Sequence, residues 1–318
     1  MKVCAACNEN LPKDSYSKKQ WKLDKYQRRC KVCVTNNREV QLQQPIQQDN
    51  DGSKTNEIVK ALDSICLKDL EKKINDEELF KQPPAEDCPI CFLCLPTLEK
   101  GWRYMPCCGK VICSGCVHAP VYDHQGNEVD NEKCPFCRTP DSKSKEEIIK
   151  RMMKRVEAND AIAIYNLGCY YQYAAHGFPQ DYKKALELFH KAGEFGYADA
   201  YLGIGNAYDY GQGVKVDKKK ANHYYKLAAI KGDADARHNL GINEKEAGNT
   251  ERALKHHMIA VGGGDNDSLG TIKQMYSKGY ATKEDYTKAL QSYQAYFGEI
   301  KSPQRDKAAA ANEDYRYY

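Results

Sequence analysis

No stretch of the 318 residues comes near the run of about eighteen apolar positions that a membrane-crossing helix requires, so no such helix is expected. The opening MKVCAACNEN lacks the long apolar core of a secretory leader. The chain is therefore expected in a reducing intracellular compartment, cytoplasmic or nuclear. There the fifteen cysteines should remain thiols and serve as metal ligands rather than form disulfides. A strong overall charge is also missing: a net charge of +4 names no partner. The imbalance is local, because residues 1–33 carry nine Lys/Arg against three Asp/Glu.

What is present is cysteine, unevenly placed. Four precede residue 34 and eight occupy paired positions between 88 and 137, while Cys66, Cys94 and Cys169 fall outside these sets. After residue 140 the composition turns to Ala, Tyr, Gly and Lys. This divides the chain into a small module over 1–34, a linker over 35–86, a cysteine-rich module over 87–141, a connecting helix over 142–159, a repeat region over 160–300 and a charged tail over 301–318, expected to be mobile.

The central module reads Cys88-x-x-Cys91, fifteen residues, Cys107-Cys108, four residues, Cys113-x-x-Cys116, seventeen residues, Cys134-x-x-Cys137. Eight thiols are enough for two tetrahedral zinc sites, and thiolate is a soft donor that suits zinc. About fifty residues with few apolar side chains make too small a core to fold alone. Zinc would supply the stability, on the order of 10 kcal/mol or more per site. The adjacent pair Cys107-Cys108 is unusual, because neighbouring side chains of an extended chain point apart. Both reach one ion only if the backbone turns sharply, which Gly109 would permit. Otherwise one is a spare thiol, and Cys94 or His118 completes the site.

The motifs CPIC, CCGKVICSGC and CPFC resemble a RING domain with cysteine at every ligand position. That resemblance implies an alternating pairing: Cys88, Cys91, Cys113 and Cys116 on one zinc, and Cys107, Cys108, Cys134 and Cys137 on the other. It also implies a function. A RING has no nucleophile and works by holding a charged ubiquitin-conjugating enzyme in a reactive pose. Ile90 matches the apolar contact residue for that enzyme, Pro135 the usual proline of the last pair, and Arg138 the cation that bridges ubiquitin and its carrier. The plainer roles are that Ile90 and Pro135 shape the metal-binding turns and Arg138 offsets thiolate charge. The segment from Val117 to Lys133 departs from the family in lacking tryptophan.

In the N-terminal module, Cys4-x-x-Cys7 and Cys30-x-x-Cys33 enclose twenty-two residues and point to one four-cysteine zinc site, a third ion for the chain. The features C-x-x-C-x-x-x-LP, SYSKKQW and RRCKVC are similar to the small zinc domain of the Stc-one type, whose best-known members link RNA-silencing and chromatin complexes. Its lysines and arginines, with Tyr16, Trp21 and Tyr26, could hold nucleic acid, but protein contact and packing beside the metal are the stronger readings. Residues 35–54 are Gln/Asn-rich linker. Ile58, Leu62, Ile65 and Leu70 predict a helix over about 55–75 with Thr55 as N-cap, ended by the prolines of KQPPAED.

From residue 160 the chain repeats. DAIAIYNLG, YADAYLGIG, DADARHNLG and DNDSLGTIK recur at steps of 37, 36 and 32 residues, and a second set places Ala185, Ala221, Ala253 and Ala289 in the same register. A two-helix repeat of this length predicts a mainly α fold, a solenoid of about four helical hairpins. The first helix carries A-x-x-x-L/I-G, which allows close approach. The second carries a small residue and then aromatics, as in Ala221, Tyr224 and Tyr225. Asp217 is a candidate cap. The third unit drops about four residues from its inner loop. LG-x-x-Y, then G-x-G-V-x-x-D-x-x-K-A, then Y-Y-K-x-A-A-x-x-G resembles Sel-one-like repeats, relatives of the tetratricopeptide repeat that gather other proteins. Ile148, Ile149, Met152, Met153 and Val156 share one helical face and should cap the first repeat. Together the resemblances imply a ubiquitin ligase or ligase subunit, with the solenoid recruiting a protein substrate. The alternative is an adaptor without ligase activity, linked to RNA or chromatin if the basic N-terminus binds there.

Overall fold

Most of the solenoid helices start where a side-chain acceptor satisfies a free N–H group of the first turn. The computed structural model describes residues 2–3, 10–11, 74–83, 86–97, 100–122, 125, 128–129 and 132–317, and it separates two units, Met1–Ser53 and Lys54–Tyr318. In the first, β1 (Lys2–Val3) pairs antiparallel with β2 (Asn10–Leu11). Cys4, Cys7, Cys30, Cys33 and nearly all of the helix expected over 55–75 lie outside the described residues. Positions 74 and 75 are not helical: Asn75 caps a separate single turn, α1 (Asp76–Leu79), by accepting from the Glu78 amide.

In the second unit a short hairpin, β3 (Trp102–Met105) and β4 (Lys110–Cys113), leads into α2 (Ser114–His118). A minimal ladder follows, β5 (Val121–Tyr122) with β6 (Glu128–Val129). The rest is helical: α3 (Lys145–Glu157), α4 (Ala161–Gln172), α5 (Tyr182–Glu194), α6 (Ala198–Tyr210), α7 (Lys218–Ile230), α8 (Ala234–Glu246), α9 (Thr250–Gly262), α10 (Asn266–Ser277), α11 (Lys283–Ile300) and α12 (Pro303–Ala311). Asp160, Asp181, Asp217, Asp233 and Asp265 cap α4, α5, α7, α8 and α10, and Thr282 with Asp285 forms a capping box on α11. Among the described residues no helix is long and apolar enough to cross a membrane.

The hairpins α4–α5, α6–α7 and α8–α9 share one packing device. A glycine on the first helix receives a ring from the second: Gly168 takes Phe189, Gly205 takes Tyr225 and Gly241 takes His257. A methyl group on those glycines would come within 2.6, 2.5 and 2.6 Å of the ring atoms. The inner loop shortens from residues 211–217 in the second hairpin to residues 247–249 in the third, so the missing residues come out of the turn and both helices survive. The buried core follows this seam through Phe189, Ile204, Tyr224, Tyr225 and Leu240. α3 packs on α4 as expected, with Met152 buried beside Tyr104 and Ala163.

The tail holds a helix and packed side chains that its charge did not predict. Ser302 caps α12, the turn Glu313–Tyr315 follows, and Arg305 and Tyr317 are 0% and 1% exposed. Ala308 and Ala309 form a buried face, and the Tyr317 hydroxyl bonds to Asp306.

Candidate metal centre

Two turns of the same design present the outer cysteine pairs. In the first, the Phe92 amide donates to the Cys88 carbonyl (2.9 Å) and the Cys88 amide to the Leu93 carbonyl (2.9 Å). In the second, the Arg138 amide donates to Cys134 (3.0 Å) and the Cys134 amide to Thr139 (2.8 Å). The residue after each pair has positive φ, 57° at Phe92 and 61° at Arg138, and a short antiparallel bridge closes each turn, Asp87 with Cys94 and Lys133 with Pro140. Such a turn folds the chain back so that both thiols face one point.

The inner pairs come from the hairpin. At its tip the amides of Cys108 and Gly109 both donate to the Met105 carbonyl (3.1 and 2.8 Å), and Gly109 adopts φ 70°. This is the sharp turn that adjacent cysteines need, and it brings both Cys107 and Cys108 to one side. Cys113 ends β4 and Cys116 lies on α2.

The sulfurs fall into two groups, Cys88, Cys91, Cys113 and Cys116, and Cys107, Cys108, Cys134 and Cys137, each with all four ligand atoms within 4.8 Å of one another. The pairs alternate between the groups. Cys94 and His118, the alternative ligands, belong to neither: Cys94 packs near Tyr296 and Ile300, and the His118 ring lies 6.1 Å from Tyr315.

The sulfur spacing tests the fit to a metal. Zinc–sulfur bonds of about 2.3 Å in a tetrahedron place sulfurs about 3.8 Å apart. The observed separations are 3.7 Å for Cys91–Cys113, 3.9 Å for Cys108–Cys134 and 3.5 Å for Cys107–Cys137. Disulfides would need about 2.05 Å. The electrostatics agree. The Cys113 thiol donates to Cys88 and holds it down to about 4, while Cys113 itself is pushed up by that bond and by burial. Burial pushes Cys107 up, with Cys137 adding to it, and raises Cys108 to about 11. Four crowded sulfurs thus hold few negative charges by themselves, and a divalent cation at their centre would stabilise the rest. The residues fit a closed structural metal site.

Ile90 is half-buried beside the first sulfur group, Pro135 is half-buried and Arg138 is exposed. Phe92 and Phe136, which the sequence reading passed over, are 76% and 44% exposed on the same two turns.

Two arginines that the sequence did not single out tie this module to the two ends of the helical region. Arg155 of α3 donates to the carbonyls of Pro106 (3.3 Å) and Cys107 (2.8 Å) at the hairpin tip. Arg305 of α12 donates to Ile300 (2.6 Å) and to Leu93 on the first turn (3.4 Å). The Tyr104 hydroxyl bonds to Asp160, the cap of α4 (2.9 Å), and Thr97 bonds to the Tyr296 hydroxyl and the Gly263 carbonyl. No spacing in the sequence signals these contacts, because both arginines bond to backbone carbonyls. A cleft of about 540 Å³ remains between the module and the inter-repeat turns, lined by Trp102, Val111, Tyr165, Tyr197, Asp199 and Asp233.

A family model described as Sel1 repeat matches residues 161–197, 196–233 and 268–294. The third hairpin, α8–α9, falls between those matches. Among curated proteins, the chain is 26% identical over 138 residues to an Arabidopsis thaliana protein named ERAD-associated E3 ubiquitin-protein ligase component HRD3B, covering 43% of this chain and 21% of that one. It is 34% identical over 84 residues to the Arabidopsis thaliana E3 ubiquitin-protein ligase DA2, covering 24% and 19%. The matches therefore span only a minor part of those relatives' own lengths. A crystal structure of a Sel1 repeat protein from Oxalobacter formigenes is 30% identical, covers 54% of this chain and 67% of its own, and superposes with a TM-score of 0.43. Residues 161–233 and 268–294 are Sel1 repeats, and the helical half of this chain is a Sel1-repeat solenoid.

Proposed function

We propose that this chain is a RING-type ubiquitin-protein ligase or ligase subunit, in which residues 87–141 bind two zinc ions and recruit a charged ubiquitin-conjugating enzyme while the solenoid recruits a protein substrate. One observation carries the reading: two interleaved four-sulfur groups built on matching turns, with the exposed Arg138 directly after the last ligand. Relatives named as ubiquitin ligases or ligase components support it. Zinc would hold the fold and take no part in group transfer. Ile90 and Pro135 would meet the conjugating enzyme, and Arg138 would donate to carrier and ubiquitin together, holding them in a reactive pose. Cys4, Cys7, Cys30 and Cys33 would hold a third zinc.

The experiment mixes the full chain with ubiquitin, activating enzyme and a panel of conjugating enzymes. Ubiquitin chains should form, and Arg138→Ala should abolish them at unchanged zinc content. No chains across the panel would overturn the reading. A zinc-stabilised adaptor is the second reading, favoured by the stretch from Val117 to Lys133, which offers Val117, Val121 and Tyr122 where active RING domains often carry tryptophan.

A further inference from the structure

The residues just ahead of the cysteine-rich module lie in the solenoid as a ligand would. Ile74 to Pro83 (INDEELFKQP) forms one helical turn, α1, and an extension that ends with Gln82 beside Gly262 and Pro83 beside Gly232. Leu79, 1% exposed, joins the buried cluster that includes Tyr224, Ala228 and Leu240. Arg237 of α8, itself 1% exposed, donates from one Nη to the Leu79 carbonyl (2.6 Å) and from the other to the Lys81 carbonyl (3.1 Å). These carbonyls sit at the C-terminal end of α1, where a helix has acceptors with no donors of its own. Arg252 of α9 pairs with Asp76, and its guanidinium lies 5.2 Å over the Phe80 ring. The His256 ring completes the wall, 4.7 Å from Phe80.

Every group that is read belongs to one short peptide: a carboxylate, an apolar anchor three residues on, an aromatic ring four residues on, and the carbonyls that close the turn. That spacing puts Asp76, Leu79 and Phe80 on one face. The hairpins on either side lock through Gly205 with Tyr225 and Gly241 with His257, without help from this segment. A single fully buried side chain anchors it.

We propose that the groove between α7, α8 and α9 is a docking site for short protein segments with an acidic residue followed by Leu-Phe at the end of a helical turn, and that residues 74–83 are its occupant in cis. This rests on the reading of the solenoid as a recruiter of proteins and supplies that recruiter with a motif; it does not require ubiquitin transfer. The tethered segment competes at an effective concentration on the order of millimolar. Weakening it therefore raises the apparent affinity for a free segment.

The test titrates a fluorescent peptide of this chain's residues 74–84 into the full-length protein and follows its anisotropy. A D76A/F80A variant, changed only at exposed or half-buried positions, should bind the peptide at least about tenfold tighter than the wild type, as release from a tethered competitor requires. Adding Arg252→Glu should weaken binding about threefold, the scale of a partly exposed ion pair. A peptide carrying Lys in place of Asp76 should recover that loss. No binding to a variant whose circular dichroism and zinc content are native, or binding indifferent to Arg252→Glu, would overturn the proposal. If the variant fails to fold, hydrogen exchange on the wild type decides. Excess peptide should speed exchange of the Leu79 and Phe80 amides, which are bonded to Asn75 and Asp76, and unchanged exchange overturns it. Failed ubiquitin-chain formation with intact peptide binding would remove the ligase reading and leave this one standing.

Discussion

Arg305 and Leu93 stand 212 positions apart, yet the guanidinium of one donates to the carbonyl of the other at 3.4 Å. The same side chain holds the Ile300 carbonyl at 2.6 Å and is wholly buried. The last helix is thus pinned to the first cysteine turn by one charged group. Arg305→Met keeps the volume of the stem and removes the donors, leaving the buried Ile300 carbonyl without its charged partner, while the Leu93 carbonyl keeps only the Cys88 amide. Hydrogen bonds to charged groups contribute about 1.5–3 kcal/mol, so the unfolding free energy should fall by about 2 kcal/mol in urea. Zinc transfer to a chromogenic chelator should also become faster. An unchanged transfer rate would mean that the tail does not brace the first sulfur group.

Adjacent thiols at the hairpin tip yield a second expectation. If Cys107 and Cys108 both ligate, Cys108→Ser should lower the zinc content by one ion per chain, while Cys94→Ser should leave it unchanged. Elemental analysis of the purified proteins checks both. Equal zinc in the wild type and Cys108→Ser would make Cys108 the spare thiol.

Much of this was legible because it repeats. Paired cysteines and the recurring A-x-x-x-L/I-G report local geometry, so the cysteine pairs, the hairpin register and the Asp217 cap could be read from spacing, while the interleaving of the sulfur groups came from the resemblance to RING domains. The turn at Gly109 was legible for the same reason: a glycine beside adjacent cysteines has few other uses. The long-range contacts left no such trace. Arg155, Arg237 and Arg305 each look like a solvated helix arginine, and their roles depend on carbonyls 48, 158 and 212 positions away. The helix of the tail was missed because its alanines give little hydrophobic signal until a neighbouring surface covers them.

Two buried histidines set the acid response. Burial, with Arg237 adding to it, holds His256 down to about 4; burial, with His238 adding to it, does the same for His257. A depressed histidine costs nothing above its unfolded value near 6.5. As pH falls below 6.5 the unfolded chain gains protons first, so stability is lost until about 4, on the order of 3 kcal/mol for each histidine. His238 acts oppositely, raised through its bond to Asp265, and its contribution is complete below 6.5. His256→Leu should therefore make the stability lost between pH 7 and pH 4.5 smaller by about 2 kcal/mol, read from urea midpoints at both values. Any acid release of metal is common to both proteins and cancels in the difference. An unaltered acid loss would show that His256 does not carry its share.

Gly205 and Gly270 both lie inside helices, so alanine gains about 1 kcal/mol of helix propensity at either place. Their surroundings differ. A methyl on Gly205 meets the Tyr225 ring at 2.5 Å, and that ring cannot retreat, because it is fully buried and its hydroxyl is bonded to Asn206 at 2.8 Å. Overpacking of this kind costs about 1–3 kcal/mol, which outweighs the propensity gain. A methyl on Gly270 meets nothing within 4 Å. Gly205→Ala should lower the unfolding free energy by about 1–2 kcal/mol and Gly270→Ala should raise it by up to about 1 kcal/mol. Urea denaturation of the two variants reads the sign directly. Stabilisation by both would mean that the glycine–aromatic contact does not set the distance between the helices of a hairpin.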